Sequence, residues 1–296
     1  MVRSENRSPL FRDHAREDFM GRTGLYIALG IGVVTGLVFG LFPELDIAIS
    51  RVFYEHVIGG NHFGWRIYPP LMTARDAGLW VGTVIIFGVL AALAFKLVFP
   101  QRRSLISGRS VLFLCATMAL GPGLLVNVIL KDNWHRSRPI DVPQLGGTEI
   151  FTPWWDPRGG CDSNCAFVSG DVSGAVWTIA PAVLVPPPYR IIAVGAALAL
   201  GTGMAVVRVM AGGHFTSDVL FAAVFTFLVI WLVYALIFRW PSTRLSEDES
   251  ERRLERFSAR CRRMTGWLSH RVATEIAGPP GEAGDDPKIK RRSGWW

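Results

Sequence analysis

The chain has 296 residues, 50% of them apolar and only 19% charged, with a mean hydropathy of +0.30. Soluble domains carry about a quarter charged residues, so disorder, a collagen-like fibre and a disulfide-rich mini-protein are excluded and a membrane protein is indicated. The net charge of +7 does not signal nucleic acid, because the basic residues sit in the tails and in short connections between long apolar runs.

Six runs follow in chain order. The first is Leu25 to Phe42, the second Ala77 to Phe99, and the third Val111 to Leu130 with one polar interruption at Asn127. The fourth runs from Val172 to Pro186–Pro188, the fifth from Ile191 to Val207 and the sixth from Val219 to Phe238. A bilayer core needs roughly 20 apolar residues per helix, about 17 at the short end, which makes runs four and five marginal. The Pro-Pro-Pro-Tyr-Arg stretch between those two reads as a tight turn joining a hairpin. Gly121, Pro122, Gly123 and Pro181 are expected to kink their helices, which neighbouring helices tolerate in lipid. The predicted fold is an all-α integral membrane protein, a six-transmembrane-helix bundle with a cytoplasmic C-terminal amphipathic helix.

Lysine and arginine placement sets the orientation. Residues 1–24 hold five arginines, the second connection holds Arg102, Arg103 and Arg109, and the segment from Arg239 holds thirteen basic against nine acidic residues. Alternating spans put all of these on one side, so both termini are expected in the cytoplasm. The first run has no small-residue cleavage site after it and reads as a retained signal anchor. Three units result: a tail over 1–24, a membrane domain over 25–239 and a basic tail over 240–296. The opposite side holds Arg51, Arg66 and Arg75, then Lys131, Arg136, Arg138 and Arg158, too basic for a random outer loop. Cys161 and Cys165 also fall there. A disulfide is expected between them in an oxidising compartment. The alternative, a zinc pair, lacks other Cys or His at ligand spacing, and Cys115 and Cys261 are expected to be unpaired.

Three polar clusters interrupt the apolar chain: Lys131 to Pro139 after run three, Ser169-Gly170-Asp171 opening run four, and Arg208 to Asp218 between runs five and six. Alternation places all three at the outer ends of their helices. They supply Lys131, Arg138 and Arg208 as cations, Ser169 as a donor and free amides at a helix start, a set suited to phosphate. Snorkelling of basic side chains explains Lys131 alone but not the rest. His214 and Asp218 are four apart. If run six starts a turn early they share a helical face, and the carboxylate is expected to bond one ring nitrogen and leave the other as nucleophile.

The spacing Lys131, six residues, Arg138-Pro139; Ser169-Gly170; Arg208, five residues, His214, three residues, Asp218 resembles the type 2 phosphatidic acid phosphatase superfamily. That family's motifs are K-x6-R-P, P-S-G-H and S-R-x5-H-x3-D, and the resemblance spans Leu25 to Phe238. It implies a six-helix bundle that hydrolyses lipid phosphates without a metal or other cofactor. It also implies that His214 attacks phosphorus to form a phospho-histidine and that Asp218 orients it. Lys131, Arg138, Ser169, Gly170 and Arg208 are implied to hold the phosphoryl oxygens. Val168 and Val207 replace the family's Pro and Ser. Asp171 stands where the family has its general-acid histidine. Three readings of that change are open: burial makes Asp171 a working acid, which is the favoured one; the leaving group needs little protonation, as in a diphosphate; or the protein only binds its lipid. His135 is a substitute acid or a passive neighbour.

The stretch Cys161 to Gly174 resembles a Cys-x3-Cys-x-Phe-Val-Ser-Gly-acidic pattern of a proteobacterial subgroup that includes phosphatases of lipid A. This implies a phosphorylated-lipid substrate, lipid A or a related glycolipid, at the periplasmic face of the inner membrane. Alternatives are phosphatidylglycerol phosphate, phosphatidic acid or undecaprenyl diphosphate, or a non-catalytic lipid-binding protein on the same bundle. Phe151, Trp154 and Trp155 are candidates to guide a lipid at headgroup level or to form an ordinary aromatic belt. In the tail, Leu254, Phe257, Cys261, Met264 and Leu268 recur at helical spacing among six arginines. They read as an amphipathic helix on the inner leaflet or a solvated one, followed by a disordered segment from Gly278.

Overall fold

The computed structural model describes residues 19–55, 63–99, 106–240 and 242–243, together with Arg252, Arg256, Ala259 and Arg260. The remainder of both tails, with Cys261, the expected amphipathic helix and the segment from Gly278, lies outside the described residues. The described residues are helical or irregular, with no strand.

Helix α1 (Arg22–Leu41) is followed by the short α2 (Glu44–Arg51). Helix α3 (Pro69–Val98) starts eight residues before the second apolar run, because Pro69 and Pro70 occupy the first turn, where no N–H partner is needed. Helix α4 (Gly108–Met118), capped by Ser107, widens into π-helix over Ala119–Leu130. Pro122 lies in that widened stretch, and Asn127 Nδ2 donates to its carbonyl at 2.7 Å, so the polar residue of run three satisfies a backbone group at the predicted kink. Helices α7 (Arg190–Met210) and α8 (Thr216–Tyr234, extended as π-helix over Ala235–Arg239) complete the long elements.

Five helices are long and apolar enough to cross a membrane: Arg22–Leu41, Pro69–Val98, Gly108–Asn133, Arg190–Met210 and Thr216–Arg239. The fourth run, already marginal by length, forms two shorter pieces, α5 (Gly170–Trp177) and α6 (Ile179–Ala182). The join is at Thr178, whose hydroxyl donates back to the Ala175 carbonyl at 2.6 Å, and Pro181 brings no N–H to continue the ladder.

The bundle is apolar on its outside. Ile27, Val33, Trp80, Val84, Phe87, Ile191 and Ile192 are all more than half exposed, and so many large apolar side chains facing outwards on helices of bilayer length describe a lipid-facing surface. Helix α8 lies at the centre and packs on α1, α5 and α7. Hydroxyl bonds tie the helices internally, Ser173 to Thr226 at 2.7 Å and Trp177 to Thr117 at 3.0 Å. Trp231 and Arg239 donate to the carbonyls of Gly21 and Met20, so the start of α1 and the end of α8 share one end of the bundle.

The other end is capped by α2, residues 63–68 and the long connection 134–169. Phe63, Val142, Leu145, Ile47 and Phe215 form a separate apolar cluster there. Cys161 and Cys165 are joined by a disulfide within the connection. Trp154 is packed into the bundle, its indole donating to Gly36 O and its ring lying on Phe221 and Phe167. Phe151 meets Phe215 edge-on, and Trp155 is exposed.

Candidate active site

All three polar clusters meet under this cap. Lys131 ends the third span, Ser169 caps the N-terminus of α5, Arg208 lies in the last turn of α7, and His214 sits in the tight turn before α8. That turn needs its glycines. Gly212 has φ +62, and a Cβ there would meet the Phe63 ring at 2.6 Å. A Cβ on Gly213 would stand 2.5 Å from Arg208 Nη2, so the guanidinium lies across the backbone one residue from His214. A Cβ on Gly170 would be 2.9 Å from Asn127 Oδ1 and 3.6 Å from Lys131 Nζ, which brings the first and second clusters together.

His214 is buried, and its Nδ1 lies 2.7 Å from the Ala166 carbonyl oxygen. A carbonyl only accepts, so Nδ1 carries the proton and Nε2 keeps a lone pair. Burial, then the charges of Arg208, Arg138 and Lys131, hold its pKa well below the ordinary 6.5, so the ring is neutral at pH 7. All three predicted cations lie near enough to act on the charge of the imidazole. They keep donors unspent. Among the described residues neither Lys131 nor the Arg208 guanidinium makes a hydrogen bond, while Arg138 gives one, to Asn164 O at 2.6 Å. Arg208 Nε does lie 3.2 Å from Asp171 Oδ2, an ion pair by distance without the angle of a hydrogen bond. Arg66, Met72, Arg75, Arg138, Arg208 and Ala211 line a cavity of about 250 Å³.

One expected contact is corrected. Asp218 does not touch the His214 ring. Helix α8 begins at Thr216, so His214 precedes it and the four-residue spacing does not put the two on one helical face. Asp218 is instead the third helical residue and reaches back to the Phe215 N–H at 2.8 Å. Its other oxygen takes the guanidinium of Arg136. The ring's orienting partner is the Ala166 carbonyl, which no sequence pattern marks. Asp171, the expected proton donor, accepts from Arg75 Nε at 2.7 Å and pairs with Arg208. These contacts hold its carboxylate between two guanidiniums. His135 is exposed and bonds the Cys161 carbonyl through Nδ1 at 3.0 Å.

Below the histidine turn lies a polar network absent from the sequence reading. Arg136 is fully buried and joins Asp218, Asp46 Oδ2 at 2.9 Å, Ser217 Oγ at 2.8 Å and Thr152 O at 2.9 Å. Its guanidinium also lies over the Phe215 ring at 4.7 Å. Asp46 accepts from Ser217 N at 3.0 Å and Ser217 Oγ at 2.5 Å. Burial would depress the Arg136 pKa, but Asp218 and Asp46 overturn this and raise it above the arginine norm. Arg136 stands inside the Lys131–Pro139 cluster, and its outer-side placement was the one available signal; Asp46 carried none. Among the described residues no group of three His, Cys, Asp or Glu is placed to hold a metal ion.

A membrane-embedded helical bundle with a basic, histidine-centred pocket at one end defines a phosphate-handling membrane protein. The pattern of the PAP2 superfamily matches residues 110–242. The lipid A 4'-phosphatase of Francisella tularensis subsp. novicida is 32% identical over 224 residues, covering 74% of this chain and 98% of that protein. Lipid A 4'-phosphatases of Rhizobium leguminosarum and Rhizobium etli are each 30% identical, over 67% and 62% of this chain and 90% and 75% of those proteins. No solved structure matches. The chain belongs to the PAP2 superfamily, among its lipid A phosphatase-like members, and is a multi-pass membrane lipid phosphatase.

Proposed function

We propose that this phosphatase removes a phosphate monoester from lipid A or a related glycolipid, at the periplasmic face of the bacterial inner membrane, through a phospho-histidine at His214. The observation that carries this reading is the meeting of Lys131, Arg138 and Arg208, donors unspent, around a buried imidazole whose Nε2 lone pair is free. The lipid is named from the printed names of three relatives. The periplasmic face is read from the basic tails, which favour a cytoplasmic location for the opposite end.

In this reading Nε2 attacks phosphorus as the P–O ester bond breaks. The three cations, Ser169 and the amides opening α5 at Gly170 hold the equatorial oxygens, where charge builds. The alcohol oxygen leaves and takes a proton from solvent in the cavity. Water then attacks the phospho-histidine, releases phosphate and restores the imidazole. Asp218 positions the turn through Phe215 and Arg136, and Asp171 positions Arg75 and Arg208. An apolar cavity of about 530 Å³ between α1, α5, α7 and α8 begins at Val172 and Val219, neighbours of Asp171 and Asp218. It suits an acyl chain of the substrate.

The test is phosphate release by the purified protein from lipid A, phosphatidylglycerol phosphate, phosphatidic acid and undecaprenyl diphosphate. The reading expects lipid A to be turned over fastest and His214→Ala to stop all release. Faster release from another lipid replaces the substrate, and no release from any lipid favours a binding protein on the same bundle.

A further inference from the structure

The cavity lined by Arg138 and Arg208 is larger than one phosphate needs. A volume of about 250 Å³, at about 30 Å³ for each water-sized atom, admits roughly eight such atoms, whereas a phosphate group has five heavy atoms. Its lining holds two of the motif cations, Arg138 and Arg208, together with Arg66 and Arg75. Arg75 is matched by Asp171 at 2.7 Å and by Asp76 at 3.2 Å. The side chain of Arg66, in the short helical turn Gly64–Arg66, has no hydrogen bond or ion pair with any described residue, yet it stands on the cavity wall with Arg138 and Arg208. Its charge lies close enough to Arg138 for the two to repel. Asp171 answers Arg75 and Arg208, and Asp141 acts on Arg138, which leaves Arg66 without a paired carboxylate among the described residues; a cation placed so beside another becomes favourable when an anion arrives. Phe63, buried against Gly212, fixes the start of this segment to the histidine turn, so Arg66 is held in register with the site.

We propose that Arg66 and the cavity wall around it form a second anion subsite, which holds a further phosphate or carboxylate of the same lipid headgroup beside the phosphate that is cleaved. This rests on the proposed phosphatase reading and narrows it to headgroups with two neighbouring anionic groups. Guanidinium offers paired donors that match either group.

The experiment is isothermal titration of the purified full-length protein in detergent with orthophosphate and with methylenediphosphonate, a non-hydrolysable pair of linked phosphonates. Methylenediphosphonate is expected to bind about tenfold more tightly than orthophosphate, the worth of an added charge-assisted hydrogen bond. Arg66→Gln is expected to remove most of that advantage, and Arg66→Lys, which keeps the charge, to restore part of it. An unchanged ratio in Arg66→Gln overturns the subsite. Two orthophosphates per chain, one of them lost in Arg66→Gln, mean that the subsite holds a free ion and overturn the headgroup assignment. Failure of both anions to bind the native protein overturns the phosphatase reading itself, and binding of orthophosphate alone overturns the subsite.

Discussion

Two polar regions flank His214 and differ in how their charges are answered. Beneath the turn, Arg136, Asp46, Asp218 and Ser217 are dry, and all four carboxylate oxygens accept hydrogen bonds. Above it, Arg66 and Arg208 stand on the cavity wall, and among the described residues neither side chain gives a hydrogen bond, although Arg208 is ion-paired with Asp171. A buried network whose groups all have partners fixes geometry; cations held together without them are matched to something that arrives. The difference separates residues that position the histidine from residues that hold substrate, although Arg136 of the first set lies between Lys131 and Arg138 of the second in the sequence.

The largest expected effect is on the network. Asp46→Asn leaves Arg136 short of a charge partner in a dry site and should destabilise the protein by about 3–5 kcal/mol, read as a lowered thermal midpoint in detergent. A midpoint within error of native would mean that the network does not hold the cap. On the other side, Arg208→Gln should lower kcat by roughly 10²–10³-fold and move the midpoint far less than Asp46→Asn, because Asp171, its ion-pair partner, keeps Arg75. An equal loss of stability would erase the distinction between the two regions.

Asp171 tests the border between them. As a positioning residue that pairs Arg75 with Arg208, Asp171→Asn should reduce kcat/KM by about tenfold, the worth of a charge-assisted bond, without moving the basic limb of the rate profile. A basic limb that disappears in Asp171→Asn and returns in Asp171→His would instead make this residue the proton donor.

The smallest effect is a titration. The His214 ring, depressed by burial and then by Arg208, Arg138 and Lys131, should remain neutral in the free protein at pH 6, as read from ring nitrogen shifts. The unfolded chain takes up that proton near its ordinary 6.5, so stability contributed by the neutral ring is lost as pH falls below about 6.5. A ring that protonates above 6.5 would show that the cations do not surround it.

Much of this was legible before any coordinates. The five long helices lie where the charge-free runs lie, because in lipid only a helix satisfies its own backbone. Alternation of spans brought Lys131, Ser169 and Arg208 to one end. What was not legible is non-local or depends on where a helix begins. The apolar pattern starts at Ala77 and marks Arg75 as a loop cation, whereas Pro69 and Pro70 start the helix early enough to place it over Asp171. The spacing of His214 and Asp218 suggested a shared face, but α8 starts between them and turns Asp218 into a cap. Asp46 and Arg136 lie 90 residues apart, and no periodicity links two single charges across that distance. The Ala166 carbonyl is backbone, invisible to any reading by residue type.

The most direct test of the central claim is to quench the purified protein during turnover of its phosphorylated lipid and map the phosphorylated peptide by mass spectrometry. The account predicts an alkali-stable, acid-labile phosphate on the ring of His214, absent in His214→Ala. Turnover with no phosphorylated residue, or with the label on another side chain, would contradict it.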